Sequence, residues 1–455
     1  RGSRFSTRRL DAVLKTFPRD ELFQATEDDL ARIAVGVLNL QIRPRTRLFI
    51  RRDPFDRYVS ALLYTPRDNY NSDLRQRAHT IIADAFEGRT SAYYPSFGDG
   101  PLARIHLIVG LNPGHPEPDE DVLDLQMRQL FETWEGAVAR IAHSTGADPA
   151  LVDGVGVTAA YREAFDPEEG LADILTIETL PEDKALSTRV WGPELESGVS
   201  RLKIYHRDKA LHLAEIVPVL ERMGVHAHYE VAYPLSFPAR EGRAAGTVFV
   251  HDILLDRPAG QARPGANFEQ AFEAVWSRRT ENDNFNSLVI ALGIDWRHAA
   301  LLRTLCRYRS QSGLDPTELT QVDAMRNHPQ IMADMLKMFE TKFDPSLSDP
   351  IDVRRGHVEL LSADILKRLE AVPSLDEDRV LRRLHNLILA IQRTNFYLAD
   401  APGDHDRHIS IKIDSAKAAP LPAPIPYREI FVWSPEVEGL HLRFGPIARG
   451  GLRWS

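Results

Sequence analysis

A single cysteine, Cys306, stands among 455 residues. One thiol excludes an intramolecular disulfide and a thiolate zinc cluster. It lies in LLRTLCRYR, a run with helical spacing, and so reads as a buried, inert side chain. No apolar stretch approaches the roughly 18 residues of a membrane span. The opening RGSRFSTRR is basic but has no apolar run behind it, so it is not a secretory signal. A cytoplasmic location is the resulting expectation, with no membrane partner. Positive charge is also in short supply. Lys and Arg number 56 against 65 Asp and Glu, a net charge of -9, which argues against bulk nucleic-acid binding. Neither a G-x-S-x-G elbow nor a Walker A sequence occurs, which removes two common catalytic devices.

Apolar material is ample. Hydrophobic residues make up 43% of the chain, enough for packed cores. The length sets a prior of about three domains. Residues 1–17 read as a tail. The stretch 18–112 reads as a first small sheet unit. In it DELFQ (20–24) is expected as a strand, then a helix capped by Thr26 with Leu30, Ile33, Val37 and Leu40 on one face. RLFIR and RYVSALLYT read as strands around Asp53-Pro54, Asn71 to Phe86 as a helix, and SAYYPSF and ARIHLIV as closing strands. This is β-α-β-β-α-β plus one strand, the ferredoxin-like arrangement of an antiparallel sheet with two helices on one face.

A helical segment, 113–197, follows, carried by VLDLQMRQLFETWEGAVARIAHS and ending that run near Gly146. Residues 198–262 repeat the sheet unit. SRLKIYH, HAHYEVAY and TVFVHDILL are its strands, and LHLAEIVPVLERM is its helix despite Pro218. Residues 263–403 read as all helix, with a capping box at Ser374 and Glu377. A loop and a proline-rich linker span 404–427, where SAKAAPLPAPIP is expected to be stiff and extended. EIFVWS and LHLRF then open something new at 428–455. Some thirty residues cannot build a domain, so these strands are expected to lack a core of their own and to continue past Ser455. The fold class is therefore α+β.

Four stretches tempt a chemical reading. GVGVTA (154–159) fits G-x-G-x-x-A, but a polar, turn-like segment precedes it where a strand is required, so it reads as an interhelical connection. His226 and His228 share a strand face and His251 lies on the expected neighbour, but their alternation with Ala227, Tyr229 and Val231 is that of a solvated edge. DHDRH (404–408) reads as a polar loop, so no metal site is expected. GPIARGGLRWS is the fourth. Gly450 and Gly451 let a backbone approach a ligand closely, and Arg449 and Arg453 each offer a fork of donors to a carboxylate.

EIFVWSPEVEGLHLRFGPIARGGLRWS resembles the opening of the catalytic region of the large bacterial NAD-specific glutamate dehydrogenases. FPRDELFQAT, RLFIRRDPFDRYVSALLYTPRDNYN, RLKIYHRDKALHLAEIVPVLERMGVHAHYE and RTNFYLAD extend the resemblance over most of the chain. It implies that the two small sheet units are ACT-like and that the helical stretches link them to the catalytic region. Smaller members of the wider family carry G-P-x-K-G-G-x-R-F at the glycine-arginine string, lining the glutamate pocket. Gly445, Pro446, Gly450, Gly451 and Arg453 match, Arg449 replaces the lysine, Trp454 replaces the phenylalanine, and one extra residue precedes Arg449. The substrate-binding candidates are accordingly Arg449, Gly450, Gly451 and Arg453.

The implied reaction is reversible oxidative deamination of L-glutamate to 2-oxoglutarate and ammonia, with hydride passing to NAD. By resemblance, the catalytic lysine and the NAD domain come after GGLRWS, so no catalytic or cofactor-binding residue is assigned in this chain, which alone is expected to be inactive. ACT-like units further imply amino-acid effectors and a homo-oligomer. The competing class is a non-enzymatic ACT-like module that senses an amino acid and acts on a partner.

Overall fold

The computed structural model describes residues 11, 13–98, 100–181, 186–192, 199–240, 243–258, 260, 262–311, 316–398, 408–418, 421, 423–447 and 451–454. They divide into two compact units, Arg1–Asp153 with Arg162–Leu175, and Gly154–Tyr161 with Thr176–Ser455.

The first unit begins with helices α1 (Arg19–Gln24) and α2 (Glu27–Ile42). DELFQ is thus helical, correcting the expected strand. Asp20 and Glu21 in its first turn favour the helix dipole, and a tertiary bond fixes it. Glu21 is buried and takes two hydrogen bonds from Arg51, Nε to Oε2 at 2.7 Å and Nη2 to Oε1 at 2.8 Å. Thr26 caps α2 as expected, accepting from the Asp29 amide.

Strands β1 (Arg47–Arg52) and β2 (Tyr58–Pro66) form a hairpin. Helix α3 (Ser72–Ala85), strands β3 (Arg89–Phe97) and β4 (Leu102–Gly110) and helix α4 (Glu120–Leu130) follow. The antiparallel order is β1-β2-β4-β3. The position that a last strand holds in a β-α-β-β-α-β unit is filled here by the first strand. The connectivity is β-β-α-β-β-α, and the expected order is corrected to this permuted form. Ile82, Phe86, Leu123 and Met127 from α3 and α4 pack on one sheet face against Ile50, Leu63 and Leu107. On the other face Ile33, Val37 and Leu40 of α2 meet Phe49, Leu62 and Tyr64. Covered on both faces, β2 is buried along its whole interior, which explains its nearly unbroken apolar sequence. The long run after residue 120 is two helices. Thr133 caps α5 (Trp134–Thr145), which ends at left-handed Gly146.

Strand β5 (Gly156–Val157) and helices α6 (Ala159–Ala164) and α7 (Pro167–Glu178) lead to the second sheet. It comprises β6 (Leu186–Trp191), β7 (Val199–Arg207), helix α8 (Leu213–Arg222), β8 (His226–Phe237), β9 (Gly246–Asp256) and helix α9 (Ala266–Trp276). The order β5-β8-β9-β7-β6 repeats the permuted plan, with β5 added at one edge. Strand β6 corrects the expectation of helix up to 197. Leu186 and Thr188 point inward in LSTRVW, a period of two too short to stand out. Helix α8 runs through Pro218, held by buried Ile216, Val219 and Leu220.

Helices α10 (Leu288–Leu292), α11 (Trp296–Ser310), α12 (Glu318–Asn327), α13 (Pro329–Phe343), α14 (Ile351–Leu369) and α15 (Leu375–Ala390) form the expected helical region. Ser374 caps α15. Two expectations are corrected beyond it. Residues Ile391–Thr394 are a strand, β10, not helix. The strands after the prolines are also not orphaned. β11 (Ile409–Ile413), β12 (Arg428–Trp433), β13 (Glu438–Arg443) and β14 (Gly451–Trp454) join β10 in one antiparallel meander. Ile409, Ile411, Phe431 and Trp433 share a core with Leu305, Met335, Leu384 and Ile388. The supposed linker starts as a strap on that core, with Ala418 fully buried and its carbonyl accepting from Arg309 Nη1 at 3.1 Å.

One buried guanidinium ties this region together. Arg303 of α11 is wholly enclosed. Its Nε and Nη2 reach both carboxylate oxygens of Asp283 at 2.7 Å, Nη1 reaches Thr280 Oγ1 at 2.8 Å, and Nη2 reaches Asn286 Oδ1 at 2.8 Å. Its Cζ lies 5.3 Å from the Trp433 ring centre, joining α11 to β12.

Candidate functional site

The last part of the glycine-arginine string, Gly451–Trp454, is the edge strand of the C-terminal meander. Strands β12 and β13 pair from Arg428–Arg443 to Trp433–Glu438, and β13 then pairs with β14. The turn between β13 and β14 starts with Arg443 Nη2 donating to the Pro446 carbonyl at 2.8 Å, and Ile447 within it is exposed. Arg449 and Gly450 lie outside the described residues. Gly451 opens β14 and is exposed, with no atom of the described residues within 4 Å of where a Cβ would stand. Arg453 pairs through its backbone with Leu440. Gly451 and Arg453 therefore share one edge strand.

On the neighbouring strands β12 and β13 lies a cavity of about 240 Å³, lined in part by Tyr308, Gln311, Glu429, Leu440 and Phe444. Tyr308 donates to Glu429 Oε2 at 2.6 Å, and Gln311 Nε2 to Glu438 Oε1 at 2.6 Å, so α11 positions the rim of the sheet. Burial, reinforced by the Glu429 charge, pushes the Tyr308 phenol well above its ordinary range, so it stays a donor at every physiological pH.

The other candidates separate. His226 and His228 are exposed, and His228 lies 3.3 Å from Asp256. His251 is fully buried. Its Nδ1 is 2.6 Å from Glu230 Oε1, and its Nε2 accepts from the Leu211 amide at 3.0 Å. The three rings do not converge, and no cluster of His, Cys, Asp or Glu able to hold a metal occurs among the described residues. GVGVTA follows a 3-10 turn, Pro149–Leu151, and contributes β5 to the edge of β8. It is not the strand-turn-helix cradle of a dinucleotide. Of DHDRH, only His408 lies within the described residues. Cys306 is buried on α11. No described helix is long and apolar enough to cross a membrane.

A feature the sequence reading missed governs how the two permuted sheets present themselves. On β1 the Leu48 amide donates to buried Asp124 Oδ1 of α4 at 2.7 Å, and the Ile50 carbonyl accepts from Arg32 Nη2 at 3.0 Å. Arg47 and Arg128 also bind Asp124. On β6 the Thr188 amide donates to Glu273 at 2.9 Å and the Val190 amide to Glu269 at 2.6 Å, both from α9. The closing helix thus takes one outward amide of β1 and two of β6 with carboxylates, and these side chains obstruct further pairing at that edge. The available signal is a carboxylate on an apolar helix stripe, such as Asp124 between Leu123 and Met127. The opposite edge of the first sheet, β3, is exposed along most of its length and displays Tyr93, Tyr94 and Phe97.

Five family models match consecutive parts of the chain. They are glutamate dehydrogenase helical motif 1 at residues 2–43, the ACT2 domain at 47–135, the ACT3 domain at 187–268, helical motif 3 at 280–345, and the bacterial NAD-glutamate dehydrogenase catalytic domain at 364–455. The ACT2 match runs from β1 through the closing helix α4, and the ACT3 match runs from within β6 to the first turn of α9. The NAD-specific glutamate dehydrogenases of Halomonas elongata and Pseudomonas aeruginosa are each 32% identical to the chain, over 97% and 98% of it. That of Mycobacterium tuberculosis is 30% identical over 97%. The chain spans 28% of the length of each of these relatives.

Proposed function

This chain belongs to the family of large bacterial NAD-specific glutamate dehydrogenases, and from that premise we propose that it is the regulatory and linking region of such an enzyme together with the first edge of its substrate site. The reaction proposed for the whole protein is oxidative deamination of L-glutamate to 2-oxoglutarate and ammonia, with NAD taking the hydride. The observation that carries this reading is the ordered series of family segments ending in the catalytic-domain match at 364–455.

Within this chain, Arg449 and Arg453 are proposed to grip the carboxylates of glutamate, and Gly450 and Gly451 to let the backbone approach it. The substrate carries a carboxylate at both ends, and the forked guanidinium fits a carboxylate. NAD and the proton-transferring groups are assigned to other parts of the protein, and no hydride step is routed through the residues described here. A cytoplasmic location accompanies this reading.

The ACT-like units are proposed to respond to amino-acid effectors and to help build a homo-oligomer. Their carboxylate-sealed edges favour association through β3, whose aromatic side chains face outward.

An NAD-coupled assay of the full-length gene product with L-glutamate tests the activity. Turnover is expected, and Arg453→Ala is expected to raise KM for glutamate at least tenfold. A full-length product without glutamate-dependent NAD reduction overturns the dehydrogenase reading. Calorimetric titration with common amino acids tests the effectors, and no heat from any of them removes the sensing role.

A further inference from the structure

A cavity of about 640 Å³ lies away from the glycine-arginine string, where the end of α13, the first turns of α14 and the end of α15 meet. Four basic side chains line it, Lys342, Arg354, Arg355 and Lys417, against one carboxylate, Glu359. In a chain of net charge -9 this concentration of positive charge is out of character.

Only Arg355 of the four is in an ion pair, with Asp352 at 3.0 Å on the exposed surface of α14. Lys342, Arg354 and Lys417 pair with no carboxylate among the described residues. Lys342 donates to the carbonyls of Ile388, Leu389 and Ile391 at 3.0, 2.7 and 2.6 Å, closing the C-terminal end of α15. Burial, with the like charge of Lys417, lowers its ammonium to about 8. Arg354 is fixed by Nε, which donates to the Thr341 carbonyl at 2.7 Å, while its buried Nη2 has no hydrogen-bond partner among the described residues. A buried guanidinium donor left unmatched is costly. The first turn of α14 adds to the field, since no side chain caps its amides. Ile351, Val358 and Leu389 give the lining an apolar side, and Asn386 and Gln392 add neutral polar groups.

We propose that this groove is a binding site for a small amphipathic anion, with a carboxylate or phosphate head on Arg354 and Lys417 and an apolar body on Val358 and Leu389. The volume falls within the range of about 300–1,000 Å³ usual for small-molecule sites. A neutral ligand leaves the three unpaired cations as they are, and a cationic one adds to their repulsion. Neither a metal ion nor a basic peptide fits.

The test uses the whole chain and the fluorescent sulfonate 8-anilinonaphthalene-1-sulfonate as reporter, displaced by octanoate, octyl phosphate, octanol or octylamine. Octanoate or octyl phosphate is expected to displace the reporter, and whichever is the stronger identifies the head group. Octanol and octylamine are expected to fail. Lys417→Glu alters an exposed side chain without an ion-pair partner, so the fold is retained, and it is expected to weaken the reporter at least tenfold. Arg354→Gln is expected to do the same, and bound octanoate to slow hydrogen exchange at residues 351–358. Unchanged reporter affinity in Lys417→Glu, or displacement by octanol equal to that by octanoate, overturns the proposal.

Discussion

Substituting Asp283 by Asn removes one negative charge and almost no volume. In the native arrangement Arg303 is entirely out of water, and its partner carboxylate is 13% exposed. Two of the four short bonds made by the guanidinium go to that carboxylate. The Asn side chain keeps one oxygen but turns an amide donor toward another donor. It still caps the following 3-10 turn, where Asp283 accepts from the Phe285 amide at 3.1 Å, so local helix geometry is retained. The loss is therefore that of an uncompensated buried cation, about 3–5 kcal/mol. Thr280→Val removes a single bond to the same charged group and is expected to cost about 1.5–3 kcal/mol. Urea unfolding followed by tryptophan fluorescence measures both, since Trp433 lies against Arg303 and reports on this core. The two substitutions share one guanidinium, so their double-mutant cycle is expected to be non-additive. A cost below about 1 kcal/mol for Asp283→Asn, the size of a surface pair, refutes the view that this cluster ties helix to sheet.

Three further outcomes are expected. Burial pushes the Glu21 carboxyl up, but the Arg51 and Ser60 hydrogen bonds and the Arg51 charge outweigh it and hold it below its ordinary value. A lowered folded value means that this contribution is complete above the unfolded pKa and is lost as pH falls through the folded one. Acid titration of stability should show that loss in the native chain and lack it in Glu21→Gln, which is already destabilised at neutral pH. Asp124→Ala strips the Leu48 amide of its acceptor, costs about 1–3 kcal/mol, and opens β1, so light scattering at 37 °C should rise earlier than in the native chain; an unchanged onset contradicts the sealed edge. Tyr308→Phe leaves the nearly buried Glu429 without its donor and is expected to cost about 1–3 kcal/mol by thermal unfolding, with Tyr427→Phe, an exposed phenol, close to neutral.

Much of the fold was legible because periodicity was strong where one face is buried. The strands RLFIR and RYVSALLYT, the Asn71-capped helix and the Thr26 cap all lie within a residue or two of the expectation. DELFQ was misread because five residues fit either period, and the deciding term is a bond to Arg51 thirty positions away. LSTRVW was missed because its partner β7 and covering helix α9, not its own composition, make it a strand. The order of strands in space was not legible at all. A hairpin and a crossover bring a strand to the same slot, and only the register distinguishes them. At the glycine-arginine string, residue types pointed to an anion site, while the tyrosine and glutamate that join α11 to β12 are 121 residues apart and carry no local signal.

The permuted sheets also bear on how the chain leaves the ribosome. In each unit the hairpin that forms the edge is made first, and the residue that seals it is made last. Asp124 follows Leu48 by 76 residues and Glu273 follows Thr188 by 85. At about 5–20 residues per second, each new edge waits roughly 4–17 s for its carboxylate. During that interval two nascent chains on one message can pair edge to edge. Slow decoding between β1 and α4 lengthens the exposure, and fast decoding shortens it, so the speed of translation through each unit sets how much of the product is lost to misassembly.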